Sequence, residues 1–484
     1  MASQQHYYFI GIGGISMSGL AQLLHSRGYL ISGSDASASA QTEALEEAGI
    51  HVMIGQQAQN LTDAAQTAPI DAVIYTAAIH PDNPEYAEAT QLGLRMMSRA
   101  ELMGEIMTGY HLPVAVAGTH GKSTTTSMLS HLLLAADADP TLSIGAVLPA
   151  IQSNIRIGHS DVFVTEACEY TNSFLSFRPG IAIILNVEED HLDFFKDLAD
   201  IRNSFRRFAQ LLPPAAEGGA LIINAAIPAL DELTADLPCR IITFHTGQDT
   251  APDGCDYYAS DIRLDERDCA SFCLNRCNGI APDAVRQLPV TLHVPGLHNI
   301  GNAIAAIAAF DHLASNAGED GTLCADPDAA IREGFAAFTG AKRRFEYKGE
   351  VCGVTVIDDY AHHPSEIQTV LNIVGRLSYR QLYLVFQPHT YTRTKSLFED
   401  FARTLSGPWH VILAPIFAAR ETDTLGISSD LLAERICALG GHAISFSSFG
   451  EIEEYLLENC TKGDLLITVG AGDVFKIGED LLGR

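Results

Sequence analysis

The stretch Pro113-Val-Ala-Val-Ala-Gly118-Thr-His-Gly121-Lys-Ser123 decides how the rest of the chain is read. A short apolar run ends in a turn bracketed by two glycines. The turn delivers Lys122 and the hydroxyl of Ser123, and the threonines from Thr124 onward open an apolar helix. Strand, glycine turn and helix in this order aim several backbone N–H groups at one point, with the helix N-terminus behind them, which suits a polyphosphate. Lys122 is expected to neutralise the terminal phosphates and Ser123 to hold Mg²⁺. The position five residues before Gly121, where such loops usually carry glycine, is Val116. Serine- and threonine-rich turns after a buried strand also occur without a ligand; the order of the elements favours the phosphate.

Outward from this loop, bulk properties set limits. A chain of 484 residues with 47% hydrophobic content suits roughly three domains, each with its own core. The formal net charge of −29 argues against nucleic acid and anionic membrane as partners, and means that an anionic substrate needs a locally basic pocket. The first residues lack a basic segment followed by an apolar one, and the apolar runs are strand-sized, so a cytoplasmic protein, monomeric or a weak homodimer, is expected. Ten cysteines in so long a chain do not make a disulfide scaffold. Cys269, Cys273 and Cys277 share one face if read as a strand, but a metal site wants a fourth ligand, so reduced thiols on a hairpin face are expected.

The fold class is α/β in three domains, at 1–109, 110–338 and 339–484. The first opens with a strand at 7–10, a turn containing Gly11, Gly13, Gly14, Ile15, Ser16, Met17 and Ser18, a helix, and a strand at 29–32 leading to Ser34 and Asp35. This is the start of a Rossmann-like βαβ unit: the turn can cradle a nucleotide and Asp35 can accept from a ribose hydroxyl. A strand–helix turn with no ligand is the alternative, since Ser16 stands where the third fingerprint glycine belongs. Further strands are expected at 72–75 and 94–96. The central domain is expected to be P-loop ATPase-like with a mostly parallel sheet, with strands at 162–165 and 181–185, and irregular strands through 247–289. The third domain, Rossmann-like again, has strands at 354–357, 382–386, 411–413 and 465–469, each ending in a polar cluster. Ligands bind beyond the carboxyl ends of parallel strands, so these clusters mark a functional edge.

Glu166 follows one buried strand, and Asp190-His191 another, shortly after Asn186. Both would lie beside the phosphate loop, where Glu166 and His191 can complete a Mg²⁺ site with Ser123. Magnesium prefers oxygen ligands, so a histidine is the less usual member, and helix-cap chemistry is the alternative for an Asp-His pair.

These residues resemble a family. Gly118-Thr-His-Gly-Lys-Ser123, Glu166-Ala-Cys-Glu169, Asn186-Val-Glu-Glu-Asp-His191, His298-Asn299-Ile-Gly-Asn302, Arg343-Arg344-Phe345 and Asp358-Asp359-Tyr360 are similar to motifs of the Mur ligases of peptidoglycan synthesis, along essentially the whole chain. Gly11-Ile-Gly-Gly-Ile-Ser-Met-Ser18, Tyr360-Ala-His-His-Pro364 and Phe386-Gln-Pro-His-Thr-Tyr-Thr-Arg393 resemble the alanine-adding branch. The resemblance implies an ATP-dependent ligase. ATP, with Mg²⁺, phosphorylates the lactyl carboxylate of UDP-N-acetylmuramate, and the amine of L-alanine displaces phosphate to form an amide. By the same resemblance Lys122, Glu166, His191 and Arg344 are catalytic, and Ser123, Glu166 and His191 surround the metal. ATP falls to Gly118, Thr119, His120, Gly121, Lys122, Ser123, Thr124, Asn299, Asn302, Arg344 and Asp359, with Asp359 accepting from ribose. The UDP-sugar falls to the first glycine turn, Ser34, Asp35, His120, Glu169, Asn172 and Ser173. L-Alanine falls to Tyr360, His362, His389 and Arg393, an arginine being suited to pair its carboxylate.

Relatives that add later residues carry a carbamylated lysine after the Asp-His motif. Here that helix offers Arg202, Arg206 and Arg207, and arginine does not readily form a carbamate. The nearest rival is a ligase that recycles a ready-made tripeptide onto the same sugar. A nicotinamide-dependent oxidoreductase using the first glycine turn, and a nucleotide-regulated protein without turnover, are the readings from other classes.

Overall fold

The computed structural model describes residues 4–76, 79–192, 194–247, 254–277, 285–316, 323–419, 421–423 and 425–484. Three sheets carry the chain. The first contains β1 (His6–Ile10), β2 (Leu30–Asp35), β3 (His51–Ile54), β4 (Ala72–Tyr75) and β5 (Met96–Ser98), in the order β3-β2-β1-β4-β5. All of its pairs are parallel. Every residue of β1 is buried, as a parallel strand covered by helices on both faces requires. The order reverses between β1 and β4, and such a reversal opens a crevice at the carboxyl ends of the strands. The fifth strand begins two residues later than the 94–96 expected. Leu94 instead donates its N–H to Ala89 O and closes the preceding helix (Pro84–Gln91).

The second sheet contains β6 (Val114–Ala117), β7 (Thr141–Leu148), β8 (Ser153–Arg156), β9 (Phe163–Glu166), β10 (Ile181–Ile184), β11 (Ala220–Asn224), β12 (Arg240–His245), β13 (Tyr257–Leu264), β14 (Cys269–Arg276) and β15 (Arg286–Pro295). Its order is β15-β14-β13-β12-β11-β10-β6-β9-β7-β8. The expected phosphate loop follows β6, which lies between β10 and β9, both parallel to it. The region expected as irregular strands instead forms three strands of eight to ten residues. Cys269 and Cys273 lie on β14, which ends at Arg276, so Cys277 falls beyond the strand, and the cysteines are free thiols.

The third sheet contains β16 (Glu346–Val351), β17 (Val354–Asp359), β18 (Leu382–Phe386), β19 (His410–Leu413), β20 (His442–Ser445) and β21 (Leu465–Val469), in the order β16-β17-β21-β18-β19-β20. Only β16 runs antiparallel; the remaining pairs are parallel. The fully buried runs Leu-Tyr-Leu-Val-Phe (β18) and Leu-Leu-Ile-Thr-Val (β21) form its centre.

The chain divides into two compact units, one comprising Met1–Ser260, Cys273–Leu288 and Gly301–Ala337, the other Asp261–Phe272, Pro289–Ile300 and Phe338–Arg484. The first two sheets thus share most of one unit. Within it the helix Arg99–Met107 presses on the 3₁₀ segment Tyr170–Ser176, and a Cβ on Gly104 would stand 2.0 Å from Ser176 O. That segment is pinned from below by Phe174, which stacks on Phe208 at 4.5 Å and meets Phe205 edge-on at 5.5 Å. Burying such a ring stabilises by about 3–5 kcal/mol relative to alanine. Among the described residues no helix is long and apolar enough to cross a membrane.

Candidate active site

The loop after β6 has the expected form. Gly118 (φ +144°) and Gly121 (φ +85°) adopt backbone conformations that side chains avoid, and Gly121 caps the helix Lys122–Ala135. A Cβ on Gly121 would lie 2.6 Å from Asn302 Oδ1, so Asn302 packs against the loop. The loop is held open from β10. Asn186 Oδ1 accepts from His120 N at 2.8 Å, and Asn186 Nδ2 donates to His120 O at 3.1 Å. Glu188 N donates to Thr119 Oγ1 at 3.0 Å, and the His120 ring stands 3.6 Å from the Glu188 carboxylate. Thr124 lies in the first turn of the helix.

Lys122 Nζ is turned back into the loop, donating to Gly118 O at 2.6 Å and Thr119 O at 3.1 Å, with the buried Glu169 carboxylate at 3.2 Å. Burial pushes the ammonium pKa down, but Glu169, with Cys168 and Glu166, outweighs it and holds the pKa above the usual lysine value. Lys122 therefore stays charged.

The expected metal trio separates into two groups. Ser123 Oγ donates to Glu166 Oε2 at 2.9 Å, and Glu166 Oε1 accepts from Gly145 N at 2.5 Å. His191 instead joins Glu169 and Asp190, whose ligand atoms all lie within 4.8 Å of one another. The imidazole Nε2 is 3.9 Å from Glu169 and 3.6 Å from Asp190, while its Nδ1 is buried with no hydrogen-bond partner among the described residues. Tyr170 covers this ring at 4.5 Å. Glu169, expected with the sugar, thus stands between the lysine and the histidine. The turn is shaped by Thr171 and Asn172, both left-handed. Asn172 Oδ1 accepts from Ser204, and Ser173 Oγ bonds Cys168 O and Tyr170 O.

In the first sheet Gly11 (φ +79°) follows β1, and the N–H groups of Gly11 and Ile12 both donate to Ser34 O. Gly13 N donates to Asp35 Oδ2 at 2.9 Å, placing the expected carboxylate against the glycine turn. The Ser34 hydroxyl is already given to the buried Glu85, at 2.5 Å. Gly14 caps the helix Ile15–Ser26, on which Ile15 and Ser16 face outward while Met17 and Ser18 are buried.

In the second unit Arg343 is fully engaged. It bonds Asp358, Gly470 O and Gly472 O between the rings of Tyr360 and Phe475. The Arg344 guanidinium lies 5.3 Å from the Tyr360 ring. Both Asp359 oxygens accept backbone N–H bonds, from Phe345 and Ala361, each 2.7 Å, and burial pushes this carboxyl up to about 6 despite Arg344. Asn299 donates to Pro295 O. Tyr360, His362 and His389 gather, with ring centroids 5.6 and 5.8 Å apart in turn. Burial lowers the pKa of both histidines, His389 to about 4, and the Arg393 charge adds to the effect.

Asn186, Asp190 and Glu85 carry structural or electrostatic weight that motif reading did not assign. Alternation of turn residues gives no signal for which carbonyl or N–H a side chain will reach. The arginines expected in place of the carbamylated lysine act as struts: Arg202 donates to Pro228 O and Ala229 O, and Arg206 to Glu232 O.

Comparison with known proteins bears on the family and the fold. Residues 6–111 match the Mur ligase family, catalytic domain; residues 116–310 match the Mur ligase middle domain; and residues 343–472 match the Mur ligase, glutamate ligase domain. The chain is 52% identical over 477 residues, covering 99% of this chain and 98% of the other, to the UDP-N-acetylmuramate–L-alanine ligase of Lachnospira eligens. Its fold is similar to a UDP-N-acetylmuramate-alanine ligase from Thermotoga maritima, with TM-score 0.77, 26% identity and 99% of both chains covered. It is also similar to a murein peptide ligase from Psychrobacter arcticus, with TM-score 0.68, 25% identity, and 99% and 98% covered.

Proposed function

This chain belongs to the Mur ligase family, and we infer from that membership that it joins L-alanine to the lactyl carboxylate of UDP-N-acetylmuramate at the expense of ATP. The near full-length identity to an alanine-adding ligase carries this reading over tripeptide recycling. A carboxylate does not react with an amine at neutral pH, because oxide is a poor leaving group. Transfer of the terminal phosphoryl group of ATP turns that oxygen into part of a phosphate, and the amine of alanine then displaces it, giving amide, ADP and phosphate. The protein's work is charge neutralisation and alignment.

We assign the triphosphate to Gly118, Thr119, His120, Gly121, Lys122, Ser123 and Thr124. Lys122 offers its charge to the transferring phosphoryl group, and the Asn186 clamp, which takes the N–H groups of Thr119 and His120, fixes the shape of the turn around it. The Ser123–Glu166 pair and the Glu169–Asp190–His191 cluster, with its buried unpartnered imidazole nitrogen, fit a divalent cation such as Mg²⁺. That ion supplies charge stabilisation of the phosphoryl oxygens. The UDP-sugar is assigned to the crevice beyond β1 and β4, with Gly11, Gly13, Gly14 and Asp35 at its wall and Asn172 and Ser173 in the turn beside Glu169. In the second unit Asn299, Arg344 and Asp359 are assigned to the nucleotide, and Tyr360, His362, His389 and Arg393 to alanine. The neutral histidines leave Arg393 as the cation for the alanine carboxylate. These assignments divide the chain at 109/110 and 338/339 into sugar, ATP and amino-acid domains.

The test is phosphate release from ATP and UDP-N-acetylmuramate with L-alanine or with the tripeptide as acceptor. Release and a new amide with alanine support the reading. Turnover with the tripeptide alone moves the chain to the recycling branch, and no ADP with either acceptor overturns it.

A further inference from the structure

We propose that Arg99 is an anion-binding residue of the sugar site, holding a negatively charged oxygen group of the nucleotide sugar: its diphosphate or its lactyl carboxylate. This rests on the UDP-sugar reading above. Arg99 directly follows β5 and is the first residue of the helix Arg99–Met107. Because β5, β4 and β1 run parallel, it stands at the same carboxyl edge as the glycine turn. Its helix is the one that closes on the Tyr170–Ser176 segment through Gly104. Cys168, in the turn between Glu166, which takes Ser123, and Glu169, which takes Lys122, is within electrostatic reach of the guanidinium.

Among the described residues Arg99 has no hydrogen-bonded or ion-paired acceptor, although it is only partly exposed. Burial works against its charge. The one group favouring that charge is Cys168, which burial itself keeps as a neutral thiol. Other arginines of the same unit are satisfied: Arg276 pairs with Asp311 and Asp328, Arg156 with Asp139, and Arg202 with two carbonyls. A guanidinium cannot shed its proton and presents a planar fork that suits carboxylate or phosphate oxygens. Holding such a group half-buried without a counter-charge is unfavourable, and a bound anion removes the penalty. A lactyl arm that runs from the sheet-edge crevice toward the phosphate loop leaves from the carboxyl edge on which Arg99 stands. ATP is the weaker candidate, because its phosphates are already met by the loop and Lys122.

The experiment uses the full chain with Arg99→Met and Arg99→Lys, titrated calorimetrically with UDP-N-acetylmuramate and with UDP-N-acetylglucosamine, which carries the diphosphate without the lactyl group. Arg99→Met is expected to weaken UDP-N-acetylmuramate binding by roughly tenfold or more, and Arg99→Lys to retain part of it. The ligand-free melting temperature of Arg99→Met should be equal or higher, since an unpaired charge is gone. Equal losses for both nucleotides assign the diphosphate; a loss confined to UDP-N-acetylmuramate assigns the carboxylate. Binding within about twofold of wild type, or a lowered melting temperature with binding of an ATP analogue lost as well, overturns the proposal. Failure of the wild-type chain to bind UDP-N-acetylmuramate overturns the reading of the site itself, and is seen separately.

Discussion

At the scale of single residues, the charge of Lys122 is paired with a buried carboxylate, Glu169. Lys122→Ala is expected to lower kcat by roughly 10²–10³-fold, the order seen when one preorganised charge-stabilising donor is lost. It also strands Glu169, and breaking one side of a buried pair costs about 3–5 kcal/mol, so the melting temperature should fall too. Lys122→Ala together with Glu169→Gln should recover the stability but not the turnover, and recovery of both would exclude a catalytic role for the lysine. Glu166→Ala should raise the Mg²⁺ concentration for half-maximal rate, because Ser123 loses the carboxylate that it bonds at 2.9 Å; an unchanged Mg²⁺ titration counts against that role. His389 gives a pH prediction. Its folded pKa is about 4 against an ordinary 6.5, lowered first by burial, then by His362 and Arg393. Between those values the unfolded chain binds the extra proton, so stability falls as the pH drops from about 6.5 to about 4. His389→Gln should flatten that part of a melting-temperature profile, and an unaltered profile would show that the imidazole is not the group responsible.

At the scale of elements, the phosphate turn depends on backbone shape. Gly121→Ala meets both a left-handed φ of +85° and Asn302 Oδ1 at 2.6 Å. The backbone term alone costs about 1–2 kcal/mol, and the loop must rotate to relieve it. A raised KM for ATP with the secondary structure intact is expected, and an unchanged KM would show that the turn tolerates a side chain. This element was legible because its chemistry is local: an apolar run, two glycines, a lysine and a helix follow in order. Four strands of the third sheet, β17, β18, β19 and β21, were legible for the same reason, as apolar runs, whereas β16 and β20, Glu-Tyr-Lys-Gly-Glu-Val and His-Ala-Ile-Ser, carry no such run. What could not be read is how turns meet. The Glu169–Asp190–His191 grouping depends on Thr171 and Asn172 turning left-handed, against the usual preference of a non-glycine residue, and Phe174 holds them there from the core. The strands β13 to β15 were read as irregular because the stretch is rich in turn residues and cysteines. Once neighbouring strands supply the pairing, β14 is mostly buried and β15 alternates buried and exposed residues along the sheet margin.

At the scale of the whole molecule, the chain carries a net charge of −29 while both its nucleotide substrates are anions. Long-range repulsion therefore opposes encounter, and the local cations act only over short distances, because the Debye length is about 8 Å at physiological salt. Raising ionic strength from roughly 10 to 150 mM screens the repulsion more than it weakens contacts in a partly buried pocket. The association rate constant of UDP-N-acetylmuramate, measured by stopped flow, should accordingly rise with salt over that range, whereas its dissociation rate constant should change little. With Arg99→Met the rise should be steeper, because a short-range attraction that salt weakens has been taken away. A wild-type rate that falls with salt would mean that the pocket cations, Lys122 and Arg99 foremost, govern the field an incoming nucleotide meets, and that the acidic surface is directed elsewhere.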